Sequence, residues 1–277
     1  PICFSRLAAR LAARLAARPA TGRFPAGANS TLDAGEVSAC HGSLPRMART
    51  TPLKAYLQLG RTRVFACVVD WPGWCRRAKT GDAALEALAD YAPRYASAIA
   101  SAGVRFPANA GADFEVVERI AAPPAPTFSG VDFGTIDEPC SLDREPLTAA
   151  EAKRLAAIVE AAWATLDDVV AHAPAQLRKG PRGGGRDRDK IYAHVIAAET
   201  AYARKLGVRH KEPAFGDTAA VAALRADLAA ALRAARSAEP AGEKGWLPRY
   251  AARRIAWHVL DHAWEIEDRS ERPDAGR

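Results

Sequence analysis

Hydrophobic and polar positions follow two different periods along the chain. Residues 53–59 alternate apolar and polar side chains, which is typical of a half-buried strand, and residues 64–69 form a continuous apolar run that suits a more buried strand. A helix is predicted from Asp82 to about residue 102, and a third strand over residues 114–120. The first part of the chain therefore predicts a small ββαβ unit.

The second part of the chain follows the period of helices. Thr148 and Glu151 have the spacing of a capping box, which begins a helix that extends to about residue 171. Further helices are predicted around His194 and over residues 218–236, and Pro248 opens the last one at a position where proline is tolerated. Four helices joined by short to medium loops predict a four-helix bundle.

A proline-rich linker separates the two parts. Residues 121–126 read AAPPAP, which is typical of a stiff extended segment. The irregular segment that follows to Pro146 contains acids whose setting indicates a solvated surface: Asp132, Asp137, Glu138 and Asp143. The predicted fold class is α+β, in three parts: a leader over residues 1–50, a small α+β unit over residues 51–135 and a four-helix bundle over residues 136–277.

Three histidines have the spacing of a metal site. His258 and His262 lie one turn apart on the last helix, about 40° from each other around its axis, beside an apolar stripe. His194 lies on the second predicted helix of the bundle, on a face that includes small alanines and Tyr202. Three imidazoles can hold a divalent ion and leave a coordination position open, as catalytic sites do. The alternative is that these are ordinary core or surface histidines.

At these residues a resemblance to a known family appears. The last 130 or so residues resemble the DinB-like superfamily of four-helix bundles, in which one metal-binding histidine lies on the second helix and an HxxxH pair on the last. His194 and the stretch WHVLDHAWE over residues 257–265 match that pattern. The interval of sixty-odd residues between His194 and His258 is rather short for that pattern, so the connecting helix and loops must be compact.

The resemblance implies a function as well as a fold. It implies a divalent metal, zinc or alternatively nickel or iron, on His194, His258 and His262, and a low-molecular-weight thiol as cosubstrate. The superfamily includes thiol-dependent S-transferases and mycothiol-dependent maleylpyruvate isomerases, so the expected partners are a small thiol and an electrophile. The 31 Arg against 8 Lys indicate a GC-rich genome, a setting in which mycothiol would be a suitable thiol. Glu265, about 60° from His262 around the helix, is the candidate catalytic residue, as a base behind the metal ligands; the alternative is an exposed glutamate.

A basic loop precedes the helix of His194. Residues 178–190 read RKGPRGGGRDRDK, without a Walker pattern. One interpretation is a loop that binds an anionic substrate at the start of a helix. The other is a flexible loop with solvated charges, and the sequence favours this second interpretation.

The ββαβ unit has a resemblance of its own. The Asp-x-Pro-Gly stretch over residues 70–73 and the Thr-Gly-Asp stretch over residues 80–82 are similar to HicB-like antitoxin domains, over about 70 residues. That family can bind an RNase toxin, so the resemblance implies a protein partner. The alternative, which the sequence favours, is a plain structural addition, because no basic and aromatic cluster of the kind that binds RNA is present.

The positive charge of the chain is concentrated near its beginning. The chain has a formal net charge of +7, but residues 1–50 hold seven arginines against Asp33 and Glu36. The remainder is nearly neutral, so a nucleic-acid partner is not expected. Because Met47 is the only methionine, we expect residues 1–46 to be upstream sequence that is dispensable for folding; an organellar presequence is the alternative.

Cysteine usage and hydropathy bear on the compartment. The five cysteines show neither CxxC nor zinc-ribbon spacing, which argues against a disulfide framework and predicts a reducing cytoplasm. Cys67 and Cys75 flank a turn, where a redox-active pair is one interpretation and incidental thiols are the favoured one. No stretch reaches the roughly 18 apolar residues of a membrane span.

Two hypotheses of different classes follow. The first is a metal-dependent S-transferase or isomerase that uses a thiol. The second is a non-catalytic, metal-stabilised scaffold whose HicB-like unit binds a partner protein. In either case Trp257, Leu260 and Trp264 lie opposite the histidines on the last helix, and we expect them to pack against the first unit or against a second subunit in a homodimer.

Overall fold

A four-stranded sheet begins the folded part of the chain. The computed structural model describes residues 51–124, 127–180 and 184–270, and the predicted leader lies outside these residues. The strands are β1 (Leu53–Leu59), β2 (Val64–Val68), β3 (Cys75–Ala78) and β4 (Phe114–Ala121), in the order β3-β2-β1-β4. β1 and β2 are antiparallel, as are β2 and β3, whereas β1 and β4 run parallel with an irregularity after Ala55.

The strand β3 was not predicted. Cys75-Arg76-Arg77-Ala78 is short, and its two central arginines give no apolar alternation. The turn predicted at residues 70–73 is present and joins β2 to β3 as a hairpin. Gly73 has a φ of +93°, which residues with a side chain rarely adopt. A Cβ atom there would also lie 2.9 Å from Leu260 Cδ1. This turn can therefore pack directly on the last helix only with glycine at this position.

Six α-helices follow the first three strands in the described residues. The helix α1 (Gly81–Ala98) follows β3 and is capped by the Thr80 side chain, which accepts a hydrogen bond from the Ala83 N–H. A short helix α2 (Gly130–Phe133) precedes the four long ones: α3 (Ala149–His172), α4 (Arg188–Lys205), α5 (Thr218–Ala234) and α6 (Pro248–Ser270). The architecture is thus α+β, with the sheet in the first part and the long helices in the second.

The predicted starts of the long helices are confirmed by their caps. Thr148 and Glu151 form both halves of the capping box, since the Thr148 hydroxyl accepts from the Glu151 N–H and the Glu151 carboxylate accepts from the Thr148 N–H. Pro248 is the first residue of α6. The helix α3 contacts α4, α5 and α6, and α4 also contacts α6, which places the histidines of these two helices near each other.

The sheet and the long helices share a continuous hydrophobic core. One cluster of buried residues includes side chains from β1, α1, α3, α5 and α6, among them Leu57, Leu88, Leu155, Leu228 and Val259. The change from sheet to long helices falls between Ala121 and Ala149, and a domain boundary near residue 135 stays a prediction. Within the described residues, no helix is both long and apolar enough to cross a bilayer.

The tryptophans of α6 pack against the first part of the chain, as predicted. Trp257 meets Phe65 of β2 edge to face at 5.8 Å between ring centroids, and Trp264 meets Tyr91 of α1 at 5.3 Å. Both tryptophans are almost fully buried. The helix α6 is therefore covered on the side away from its histidines by the sheet and by α1.

Three of the four acids of the segment before α3 do not form the predicted solvated surface, whereas the fourth, Glu138, is exposed as predicted. Asp143 is fully buried and forms an ion pair with Arg253 of α6. Asp132 accepts hydrogen bonds from the backbone N–H groups of Arg61 and Thr62, and Asp137 accepts one from Gly130. These carboxylates tie an irregular segment to the sheet and to α6, because backbone groups and a buried arginine need polar partners there.

Candidate metal centre

The three predicted histidines meet between α4 and α6. His194 projects from α4, and His258 and His262 project from α6 one turn apart. Their ring centroids are 5.1 Å apart for His194 and His258, 5.1 Å for His194 and His262, and 4.7 Å for His258 and His262. One nitrogen of each ring lies within 4.8 Å of the other two. In the part of the chain that the structure describes, this is the one group of His, Cys, Asp or Glu side chains with such spacing.

The spacing of one nitrogen pair matches that of zinc ligands. The Nε2 atoms of His194 and His258 are 3.3 Å apart. Two nitrogens at 2.0–2.1 Å from a tetrahedral zinc ion are separated by about 3.4 Å. These two rings therefore already have the separation that a shared ion requires.

Burial keeps two of the rings neutral. Burial lowers the pKa of His258 well below its usual range, and the neighbouring His262 and His194 lower it further. Burial also lowers the pKa of His194, with a further contribution from His262 and from Arg186 in the basic loop. A neutral imidazole has the free lone pair that a metal ligand needs, so the electrostatic setting favours metal binding over protonation.

Glu265 fixes the orientation of His262. Its Oε2 atom lies 2.8 Å from His262 Nδ1, and its Oε1 atom accepts a hydrogen bond of 2.7 Å from Arg269 Nη1. Burial alone would raise the pKa of Glu265, but the contacts with His262 and Arg269 lower it. An ionised Glu265 accepts the Nδ1 proton of His262 and leaves the Nε2 lone pair for a ligand. Because both oxygens are engaged, the geometry favours a positioning role for Glu265, and its role as a base stays a prediction.

The second ring nitrogen has a protein hydrogen-bond partner in His262 but, within the described ranges, not in His258. We expect each metal-binding ring to place its other nitrogen against a carboxylate, a carbonyl or water. This expectation is met for His262 through Glu265, and for His258 it stays a prediction. His258 Nδ1 is buried and has no hydrogen-bond partner among the residues that the structure describes.

Aromatic and cationic side chains line one side of His258. Tyr202 of α4 lies 5.7 Å from the His258 ring, between centroids, and packs against Trp246 at 4.9 Å. The Arg254 guanidinium lies 5.7 Å from the Tyr202 ring centroid and 5.0 Å from that of Trp257. This side of the cluster is therefore apolar at the ring faces and carries one positive charge.

The basic loop before α4 is held against the end of α6. Arg178 and Arg269 exchange hydrogen bonds, with Arg178 N–H donating to the Arg269 carbonyl and Arg269 Nε donating to the Arg178 carbonyl. Gly185 has a φ of +124°, and a Cβ atom there would lie 2.8 Å from Arg269 Nη2. The loop thus passes closely over the arginine that holds Glu265. Its residues 181–183 lie outside the described residues, and binding of an anion there stays a prediction.

Sequence reasoning identified the three histidines and Glu265 but missed Arg254 and Arg269. Both could have been found from helical spacing. Arg254 precedes His258 by four residues, and Arg269 follows Glu265 by four, so each lies on the face of its neighbour. The signal was overlooked because charged residues four apart are also common on solvated helices.

Comparisons with known proteins identify no relative. No protein-family model matches the chain, no curated protein matches it, and no solved structure matches its fold. The DinB-like and HicB-like resemblances therefore stay predictions that rest on the residues quoted for them.

Proposed function

We propose that this protein is a metal-dependent enzyme of the DinB-like type. A divalent ion, zinc or alternatively nickel or iron, would be held by His194, His258 and His262. A low-molecular-weight thiol, such as mycothiol, would be the cosubstrate, and a small electrophile the substrate of S-transfer or isomerisation. The observation that carries the proposal is the convergence of three imidazole nitrogens from two helices within 4.8 Å of one another.

The donor set fits a catalytic ion better than a structural one. Structural zinc is normally closed by four protein ligands, whereas three histidines leave a position for water or substrate. The ring nitrogens of His194 and His258 face each other at 3.3 Å with no carboxylate between them. Histidines that served packing alone would more commonly direct their nitrogens to separate protein partners.

The residues around the histidines would position the metal ligands and control access to the ion. When bound, a divalent ion would lower the pKa of a coordinating thiol, which supplies a nucleophile near neutral pH. Glu265 holds His262 in the tautomer that offers Nε2, and Arg269 holds Glu265. Tyr202 and Arg254 cover the His258 side, where they would limit access of water and orient an anionic or aromatic group of the substrate.

The arrangement of the long helices is consistent with this proposal. We interpret α3, α4, α5 and α6 as the four-helix bundle of the DinB-like type, with the histidines on its second and fourth helices. The contacts of α3 with α4, α5 and α6, and of α4 with α6, support that interpretation. The sheet and α1 would then act as a support for α6 on the side away from the ion.

The test combines metal analysis with a conjugation assay. Untagged full-length protein would be stripped with a chelator, reloaded separately with Zn²⁺, Ni²⁺ and Fe²⁺, and analysed for bound metal. A thiol-conjugation assay with a low-molecular-weight thiol and a small electrophile would follow, with and without chelator. We expect about one ion per chain, and conjugation that the chelator abolishes.

Substitutions would locate the ion. His194→Ala, His258→Ala and His262→Ala should each remove most of the bound metal and all of the conjugation. His210→Ala is the matched control, because His210 pairs with Asp227 away from the cluster. Equal metal content in all four variants would contradict the site. One ion per chain without conjugation would leave the metal site standing and favour the scaffold hypothesis over the enzyme.

A further inference from the structure

Two buried cysteines face each other across the β2–β3 hairpin. Cys67 of β2 and Cys75 of β3 are register partners in the antiparallel pair. Each has 0% of its surface exposed, and neither belongs to a disulfide. The metal centre uses neither thiol, so their juxtaposition calls for a separate explanation.

Hydrogen bonding in the hairpin shows whether Cys67 and Cys75 form a hydrogen-bonded or a non-hydrogen-bonded pair. The neighbouring pair, Val68 and Trp74, is bonded across the strands, with Val68 N–H donating to the Trp74 carbonyl at 3.0 Å. The Cys75 N–H instead donates to the Gly73 carbonyl within the turn. Because bonded and non-bonded pairs alternate in antiparallel strands, Cys67 and Cys75 occupy a non-hydrogen-bonded position.

That position brings the two side chains within reach of a disulfide. Directly opposite residues in a non-hydrogen-bonded pair have Cα atoms about 4.5 Å apart and side chains closer than in bonded pairs. A disulfide needs Cα atoms roughly 4.4–6.8 Å apart, so the backbone of the hairpin already meets the lower end of this requirement. Formation of the bond therefore requires no rearrangement of the strands.

The surroundings of the pair would keep the two thiols unreactive while the hairpin is closed and let them react when it opens. Burial raises the pKa of the Cys75 thiol well above its usual range, and the Cys67 side chain raises it further, which keeps the closed pair protonated and unreactive. The strand β3 is an edge strand of only four residues, paired on one side alone. An edge of this kind opens locally at lower cost than a central strand and would admit a small reactant.

We propose that Cys67 and Cys75 form a reversible intramolecular disulfide with a low-molecular-weight disulfide as oxidant. One cysteine thiolate attacks a sulfur of the oxidant, which forms a mixed disulfide and releases one small thiol. The other cysteine then displaces the second small thiol and completes the Cys67–Cys75 bond. The two cysteine protons go to the two released thiols, so two protein thiols are oxidised and one oxidant disulfide is reduced.

Oxidation would restrain the hairpin that supports α6. Phe65 of β2 packs on Trp257, and Arg76 of β3 pairs with Asp261 at 3.4 Å. Both partners lie on the helix of the histidines, where Trp257 immediately precedes His258 and Asp261 immediately precedes His262. The disulfide is thus a modification site next to, but chemically independent of, the candidate metal centre.

Peptide mapping of the full chain tests the proposal. Trypsin cleaves after Arg63 and Arg76, so Cys67 and Cys75 fall in one peptide, residues 64–76, with no other cysteine. Native protein would be treated with oxidised glutathione, denatured, blocked with N-ethylmaleimide and digested. We expect this peptide to be lighter by two hydrogens and unlabelled, and to take two labels when dithiothreitol precedes the blocking step.

Variants supply the controls. Cys140→Ala should leave the internal disulfide intact, because Cys140 is also buried but lies outside the sheet, where its thiol accepts from Arg253 Nη1 at 3.5 Å. Cys67→Ala and Cys75→Ala should each abolish the internal disulfide. If either variant fails to fold, the wild-type mapping still decides. Two labels on the wild-type peptide after oxidation, a persistent glutathione adduct, or a bond to another cysteine would each overturn the proposal.

Discussion

The two sides of helix α6 differ in how their buried polar groups are paired. On one side, which we call the sheet side, Arg253 forms a fully buried ion pair with Asp143 beside Trp257. On the other, which we call the histidine side, His258 and His262 face His194 and one another. Both sides are largely buried, but of the two only the sheet side holds a fully buried pair of opposite charges, since the Glu265–Arg269 pair beside the histidines is partly exposed.

The difference indicates that the sheet side stabilises the fold and that the histidine side is suited to bind a ligand. A buried charge is tolerated only when it is paired, and the Arg253–Asp143 pair meets that condition within the protein. The Asp143 carboxylate also accepts a hydrogen bond from the Cys140 N–H at 2.9 Å, so its second oxygen is satisfied. The histidine side instead leaves His258 Nδ1 without a partner among the described residues and directs Nε2 at another imidazole. The first arrangement pairs its charges within the protein, although Arg253 Nε, like His258 Nδ1, has no hydrogen-bond partner in the described part of the chain. The second brings nitrogens of three imidazoles together, which suits a ligand.

The largest effect is expected from breaking the buried ion pair on the sheet side. Asp143→Ala should leave Arg253 buried without its charged partner and lower the free energy of unfolding by about 3–5 kcal/mol. The measurement is urea unfolding followed by the near-ultraviolet signal of the tryptophans.

The exposed pair Arg233–Glu160 provides the control for that experiment. Both of its side chains are about 40% exposed, and Glu160→Ala should change the free energy of unfolding by no more than about 1 kcal/mol. A similar small change for Asp143→Ala would remove the distinction between the two sides of α6.

An intermediate effect is expected on the histidine side from Glu265→Gln. The neutral amide can no longer hold His262 through an ionised acceptor, so the affinity for Zn²⁺ should fall by about 10- to 100-fold while the fold is retained. Competition with a chromophoric zinc chelator measures this change, and circular dichroism checks the fold.

Glu267→Gln is the matched control on the same helix. Glu267 is two residues further along, pairs with Arg94 of α1 and does not contact the histidines. Its replacement should leave zinc affinity unchanged. Equal zinc affinity in both variants would show that Glu265 does not position His262.

The smallest effect is expected at the beginning of α6, where Arg249 pairs with the 43% exposed Glu151 side chain of α3 at 2.8 Å. Hydrogen bonds from Arg249 and from Thr148 lower the pKa of Glu151 from 4.5 to about 2. A carboxyl whose pKa is lower in the folded state stabilises the protein above its ordinary pKa, and this contribution is lost as the pH falls from 4.5 towards 2.

Glu151→Gln isolates this charge, because glutamine can keep the capping box. The wild type should exceed the variant in free energy of unfolding by less than about 1 kcal/mol above pH 5, since the Glu151 carboxylate is open to solvent screening. The difference should shrink towards pH 2. Unfolding curves of both proteins at several pH values measure it, and a difference that is constant with pH would contradict the assignment.

Much of the helical part could be predicted from local sequence. The capping box at Thr148 and the proline at position 248 act within a few residues of themselves, and both helices begin where predicted. The histidines of α6 were predicted to share a face because helical geometry alone sets their angle. The ring spacing of 4.7 Å between them agrees with that geometry.

Other features depended on partners distant in sequence. The strand β3 has no strand pattern of its own and forms because β2 offers a free edge beside it. Asp143 looked like a surface acid because the sequence around it is polar, yet Arg253, 110 residues away, removes it from water. Neither outcome follows from local composition.

Local sequence is enough to set the helical spacing of His258, His262, Glu265 and Arg269, because a regular helix translates residue number directly into angle and height. It also sets where α3 and α6 begin, since caps and prolines act locally. Long-range packing is what brings His194 to the other two histidines and places Cys67 opposite Cys75. It likewise decided that Asp143 lies against Arg253. These pairings arise when helices and strands bury a common core, and that packing depends on contacts across the whole chain.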